Sequence, residues 1–319
     1  MPELPVDRVR TVDYHTGGEP FRIVTGGVGP PQGRTILEQR RYALEHLDDV
    51  RKLLVHEPRG HADMYGGFVT EPEDDGADLG VVFFHNEGYS TACGHGTIAL
   101  VTWALESGRL PAAEPETRVV VDVPSGRLET WARVENARVR SVRFRNVPAF
   151  VHSGNVSFGG AFYASVEESV GPLELPRLIE LGRFVKAELE ADREFVHPLE
   201  PELNGIYGVI FWQEEGDGPP LTQRNVTVFA DGEVDRSPCG SGTSARLAML
   251  AAEGRIAPGA ELLHRSIVGS EFRARIVAET EVAGIPAVVT EVEGSAHLTG
   301  RHEFVLEPDD ELGLGFLLR

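Results

Sequence analysis

Lysine is nearly absent from this chain. Of its 30 basic residues only Lys52 and Lys186 are lysines, and the other 28 are arginines. A lysine Schiff base therefore has two possible seats, and neither lies in a glycine-rich or site-like setting. Cysteine is as scarce: the 319 residues hold two, Cys93 and Cys239, which excludes a disulfide framework. A single bridge, or two unrelated buried thiols, stays open until their surroundings are read. Positive charge is short as well. Fifty acidic residues give a formal charge of −20, a surface that repels phosphate backbones and anionic headgroups, so neither nucleic acid nor a membrane is an expected partner. No apolar run approaches the ~18–20 residues needed to cross a bilayer. The first residues, Met1 to Asp7, lack the basic-then-apolar order of a signal peptide, and a cytoplasmic protein is expected. Low-complexity tracts and long linkers are missing too. Hydrophobic residues at 41% and charged residues at 25% suit a globular chain with a large core, long enough for two domains.

What is present is a repeat. Around the first cysteine the chain reads Cys93-Gly94-His95-Gly96-Thr97-Ile98-Ala99, and around the second Cys239-Gly240-Ser241-Gly242-Thr243-Ser244-Ala245. Five of these seven positions are identical. Fifteen residues after each cysteine stands a glycine followed by arginine, Gly108-Arg109 and Gly254-Arg255, which reads as a helix C-terminus. The residues between are apolar and helix-forming, and strand-like stretches follow at Arg118–Val123 and Glu271–Val277. An internal duplication of about 146 residues is therefore visible in one sequence. It predicts an α/β protein of two pseudo-symmetric halves, each with a buried central helix that starts at a cysteine. Val147-Pro148 is the expected crossing point. Residues 1–147 then form the half carrying Cys93, joined by about 301–319 through a last strand at Glu303–Leu306, and residues 148–300 form the half carrying Cys239. Strands are expected at Val6–Val12, Phe21–Thr25, Phe68–Thr70, Leu79–Phe84, Val139–Phe144, Val151–Phe158, Ala161–Val166, Leu203–Trp212 and Asn225–Phe229. One helix is expected from Ile36 through Val55 and another over Pro176–Leu189, with a loop at residues 216–220.

The position of the cysteines carries chemistry. A thiol has an unperturbed pKa near ~8.5. Helix N-termini offer unpaired amides and the positive end of a dipole, so thiolate is favoured there. Glycines beside the thiol let a carboxylate come close to those amides. Each Cys-Gly-x-Gly could thus supply an activated base and part of a carboxylate nest. Two copies facing one ligand would remove an α-proton from one face and deliver one to the other. The plain alternatives are packing cysteines or one disulfide.

The segments Asp235-Arg236-Ser237-Pro238-Cys239-Gly240-Ser241-Gly242-Thr243, Cys93-Gly94-His95-Gly96 and His15-Thr16-Gly17-Gly18-Glu19-Pro20 resemble, in order and spacing, the signature motifs of the proline racemase superfamily. That group includes proline racemase, 4-hydroxyproline 2-epimerase and trans-3-hydroxy-L-proline dehydratase. The resemblance implies a diaminopimelate-epimerase-like fold, with each half a strand barrel around its central helix and the active site in the cleft between them. It implies no metal, no organic cofactor, and a monomer or homodimer acting on a proline-type imino acid. By position it makes Cys93 and Cys239 the acid/base thiols. Gly94, His95, Gly240 and Ser241 would hold the substrate carboxylate, and Asp235 would face the ring ammonium.

Within the superfamily two signals diverge. Glu57 to Gly66, Phe84 to Thr91 and Phe195 to Pro201 look most like the dehydratases, yet those carry threonine where this chain has Cys239. Dehydration needs one base and help for the departing hydroxide, whereas inversion needs a thiol on each face. The second thiol makes 4-hydroxyproline 2-epimerase the leading expectation. The dehydratase, an enzyme with both activities, and proline racemase follow as alternatives. A non-catalytic imino-acid binding protein would keep the nest and Asp235 but have no use for two thiols. His61-x-Asp63 with Cys93-x-His95 is a weak zinc pattern without paired ligand spacing. Tyr65, Phe68 and Phe84 read as core.

Overall fold

The computed structural model describes residues 8–216 and 218–318. The leader reading of Met1 to Asp7, the start of the strand expected at Val6 and Asp217 of the expected loop lie outside the described residues.

The first half of the chain runs β1 (Arg8–Thr16), β2 (Glu19–Gly26), α1 (Ile36–His46), α2 (Asp48–Val55), β3 (Tyr65–Thr70), β4 (Leu79–His85), α3 (Gly94–Glu106), β5 (Glu116–Val123), β6 (Gly126–Glu135) and β7 (Arg138–Arg145). The second runs β8 (Ala149–Ser153), β9 (Val156–Phe158), β10 (Phe162–Glu167), α4 (Leu175–Asp192), β11 (Ile206–Glu214), β12 (Leu221–Phe229), β13 (Glu233–Asp235), α5 (Gly240–Ala252), β14 (Glu261–Ser266), β15 (Glu271–Val282), β16 (Ile285–Gly294) and β17 (Ala296–Val305). The protein is thus a mixed α/β fold built on curved, mostly antiparallel strands. β16 joins the two parts by pairing with both β7 and β8. β17 leaves the second set and pairs along its length with β1.

Two helices occupy the centre. Twelve of the 13 residues of α3 are buried, as are 11 of the 13 of α5. A helix covered on every side has no solvent face; α3 is mostly apolar, while α5 also buries Ser241, Thr243, Ser244 and Arg246. α3 lies against β1, β2, β7 and β17, and α5 against β8, β9, β15 and β16. Each ends where its glycine permits. Gly108 (φ +77°) and Gly254 (φ +67°) take the left-handed backbone of a helix terminator.

Two expected elements are divided. The helix over Ile36–Val55 breaks at Leu47, whose amide closes α1 on Ala43 O while Asp48 and Asp49 open the first turn of α2. Acidic residues favour a helix start over a helix interior at that point. The strand over Val151–Phe158 turns at Gly154 (φ +55°) into β8 and β9. Among the described residues no helix is long and apolar enough to cross a membrane.

Candidate active site

Cys93 is the N-cap of α3 and Cys239 the N-cap of α5. In each case the cysteine carbonyl accepts the first helical hydrogen bond, from Thr97 N at 3.0 Å and from Thr243 N at 2.7 Å. The two helix starts touch. A Cβ placed on Gly94 would lie 2.6 Å from Gly240 Cα, and one on Gly240 would lie 2.7 Å from Gly94 Cα, with the Phe144 ring wedged against both. Only glycine lets the backbones meet so closely. The second glycine of each motif makes room for sulfur: a Cβ on Gly96 would stand 2.7 Å from Cys93 Sγ, and one on Gly242 2.9 Å from Cys239 Sγ. Hence the Cys-Gly-x-Gly spacing has a steric cause beside the expected one of ligand approach. Gly94→Ala, or Gly240→Ala, is expected to force the helix starts apart and destabilise the fold by about 1–3 kcal/mol. A thermal melt of either variant at the wild-type temperature would contradict the contact.

All seven residues singled out by sequence line one small cavity: Cys93, Gly94, His95, Asp235, Cys239, Gly240 and Ser241. The amides of Gly94, His95, Gly240 and Ser241 belong to the first two positions of their helices, where no intrahelical acceptor exists. Both cysteines are free thiols and both are buried, so no disulfide joins them.

The thiols are not equivalent. Cys93 has extended backbone (φ −153°) and its sulfur accepts the Gly96 amide at 3.2 Å, an N-cap bond in which sulfur takes the usual oxygen's place. Cys239 sits at φ +61° without a full N-cap bond, though the Gly242 amide still acts to lower its pKa; this left-handed conformation costs a non-glycine residue about 1–3 kcal/mol. Its amide donates to Ser237 Oγ at 3.1 Å. The expected lowering of the thiol pKa is reversed by burial. Burial pushes Cys93 well above its ordinary value despite the Gly96 amide, and nearby Asp235 adds to the rise. Burial, followed by Asp235, pushes Cys239 up to about 12. A dry pocket disfavours thiolate more than one helix end favours it.

His95 is buried with its ring nitrogens 3.5 Å from Cys93 Sγ. Burial lowers its pKa to about 3, so the ring is neutral at working pH. Asp235 is buried on β13 and accepts the Ser237 amide at 2.8 Å. Burial raises its pKa to about 6.

Tyr65 is buried in the core, as expected, and its ring also reaches the site. It lines the cavity with Tyr163, Tyr207 and Phe229. Its hydroxyl donates to Ser90 Oγ and lies 2.9 Å from Tyr207 OH. Tyr163 OH pairs with Ser241 Oγ at 2.7 Å and stands 3.9 Å from Cys239 Sγ. Burial holds all three phenols well above their ordinary pKa, hence protonated. Ser90 and Tyr207 also line an outer pocket of about 580 Å³, whereas the inner cavity measures about 10 Å³. That is space for about one water, so a five-membered ring enters only if these walls part. His61 and Asp63 lie outside the cavity, and among the described residues no group of three or more His, Cys, Asp or Glu is placed to hold a metal ion.

A family model described as proline racemase matches residues 11–317. The chain is 47% identical to the 3-hydroxyproline 2-epimerase of Burkholderia multivorans, with 97% of this chain and 98% of the relative covered. It is 46% identical, with the same coverage, to the trans-3-hydroxy-L-proline dehydratase of Azospirillum brasilense. A solved hydroxyproline epimerase of Agrobacterium vitis, with bound trans-4-hydroxy-L-proline, superposes with a TM-score of 0.90 at 32% identity over 98% of this chain and 96% of that one. Matched over almost its whole length by the model and by enzymes of both reaction types, the chain belongs to the proline racemase family.

Proposed function

We propose that this protein is a hydroxyproline 2-epimerase in which Cys93 and Cys239 serve as the two acid/base groups. The observation that carries the reading is their position: two free thiols at the starts of helices in backbone contact, lining one cavity. The substrate carboxylate sits on the amides of Gly94, His95, Gly240 and Ser241. Asp235 pairs with the ring ammonium, and this cation is also what draws a thiol toward thiolate in a pocket that otherwise keeps both protonated. One thiolate removes the α-proton, the opposite thiol delivers another, and the stereocentre inverts with no change in the atoms of the substrate. Two thiols complete this proton balance without a cofactor. Trans-4-hydroxy-L-proline is the substrate of first reading. Trans-3-hydroxy-L-proline stands beside it because the names of the relatives at 46–47% identity concern 3-hydroxyproline.

A second reading, dehydration of trans-3-hydroxy-L-proline, is favoured by the Azospirillum relative and by the Tyr65, Ser90 and Tyr207 hydroxyls. The protonated Tyr65 and Tyr207 phenols line the cavity, Tyr65 donating to Ser90 behind it, and would supply the proton that a departing hydroxide needs. Incubation of L-proline, trans-4-hydroxy-L-proline and trans-3-hydroxy-L-proline, followed by optical rotation and by pyrroline formation, separates the two. Inversion of either hydroxyproline supports the epimerase. Pyrroline alone supports the dehydratase, and neither leaves a binding protein. Such an enzyme would work in the cytoplasm as a monomer or homodimer, without nucleic acid or membrane partners.

Asp235 also sets an expected pH profile. It must be ionised to meet the ammonium, so kcat/KM is expected to fall as pH drops through about 6. His95→Gln should leave this acidic limb in place, because the neutral His95 does not titrate there. In the free protein the sign is opposite. A carboxyl with a raised folded pKa binds more protons folded than unfolded between its ordinary value and about 6. Its contribution to stability therefore declines as pH rises through that window. Asp235→Asn should remove that decline, and a wild-type and variant stability difference independent of pH from 4 to 7 would contradict it.

A further inference from the structure

β13 is three residues long and pairs with β12 alone among the described strands. Its other edge presents backbone amides with no strand to receive them. Two carboxylates from the first half of the chain take that place, one on each side of Asp235. Val234 N donates to Asp63 Oδ1 at 3.2 Å, and Arg236 N donates to Glu19 Oε2 at 2.7 Å. The Arg236 guanidinium reaches both acids, Asp63 Oδ2 at 3.1 Å and Glu19 Oε2 at 3.5 Å. The Glu233 side chain of β13 in turn accepts Glu87 N on Oε1 at 3.1 Å. Glu19 and Asp63 are buried while Arg236 is partly exposed. Burial, with Asp235 adding to it, raises the Glu19 pKa well above its ordinary value; buried carboxyl groups carry a desolvation cost that hydrogen bonds offset, and each of these two accepts a backbone amide beside one aspartate.

We propose that Glu19 and Asp63 are positioning residues: bound to the amides flanking Asp235, with Arg236 bridging them, they aim the Asp235 carboxylate at the substrate nitrogen. The inference rests on the reading that Asp235 meets the ring ammonium. Glu19 belongs to the His-Thr-Gly-Gly-Glu-Pro segment, whose glutamate has no other assigned task. Neither acid lines the cavity, so both act through β13.

The test compares Asp235→Asn, Glu19→Ala, Glu19→Gln and Asp63→Gly. Glycine is chosen because Asp63 has φ +65°, a backbone that glycine accepts without strain. Steady-state KM and kcat are measured with the hydroxyproline that turns over, and inhibition with pyrrole-2-carboxylate, which keeps the carboxylate but has no ammonium. Glu19→Ala and Asp63→Gly are expected to raise KM about tenfold or more, the scale of a weakened charge-assisted hydrogen bond. They should change kcat less than about threefold, and pyrrole-2-carboxylate should inhibit as in the wild type. Glu19→Gln, which retains an acceptor for Arg236 N, should recover most of the loss. Wild-type KM in both Glu19→Ala and Asp63→Gly, with Asp235→Asn impaired, overturns the positioning role alone. Equal loss of substrate and pyrrole-2-carboxylate binding also overturns it, because that is general collapse of the site. An unimpaired Asp235→Asn removes the reading beneath it, and the inference falls with that reading.

Discussion

Cys93→Ala is expected to stop every reaction of this enzyme, lowering kcat by at least about 10³-fold, near the upper range for removal of a positioned acid or base. Inversion and dehydration both begin with loss of the α-proton, so the loss should appear with each hydroxyproline. It should also appear in the exchange of the substrate α-hydrogen for deuterium in D2O. Exchange is the stricter measure, since a protein that only binds imino acids would show none even as wild type. The variant should remain folded, because a buried thiol that accepts one amide, Gly96 N, contributes little beyond that cap. Turnover by folded Cys93→Ala at the wild-type rate would remove Cys93 from the chemistry.

Cys239→Thr is expected to separate the two activities. Inversion should fall by at least about 10²-fold, since one face loses its proton carrier. Dehydration of trans-3-hydroxy-L-proline, which needs no base on that face, should persist or increase. Backbone geometry adds a second expectation. Cys239 has φ +61°, where a β-branched side chain is strongly disfavoured, so threonine should lower the melting temperature more than serine does. Cys239→Ser therefore serves as the control that separates a lost thiol from a strained backbone. Unchanged inversion in Cys239→Ser and Cys239→Thr would contradict a two-thiol mechanism.

Legibility followed distance along the chain. The repeated heptapeptide and the glycine fifteen residues beyond it are local patterns, and α3 and α5 lie where those patterns place them. The seven expected site residues meet in one cavity because the duplication brings two short motifs together as units. Tyr65 is core, as its strand pattern indicates, but the same pattern does not report that its ring also borders the cavity. Its neighbours Tyr163 and Tyr207 come from strands about 100 and 140 residues away. The amide contacts of Glu19 and Asp63 span 217 and 171 residues, and no periodicity reports such a pairing. Helix ends alone point to a lowered thiol pKa. Burial, a property of the assembled fold, decides it the other way. Short strands such as β13 and the break at Leu47 escaped for a related reason, since each depends on what closes an edge or a turn in three dimensions.

The contact between Gly94 and Gly240 has an electrical side. Each helix start behaves as roughly half a positive charge, and the fold presses two of them together, so the two ends repel each other. A small anion lodged there would relieve both dipoles at once, acting as a fastener for the molecule as well as its cargo. Because that anchor is shared by two near-copies of one motif, a carboxylate held there as proposed would be gripped without regard to handedness. On that reading the left- and right-handed forms of a ligand would be held by the same end while everything else about the carbon is exchanged.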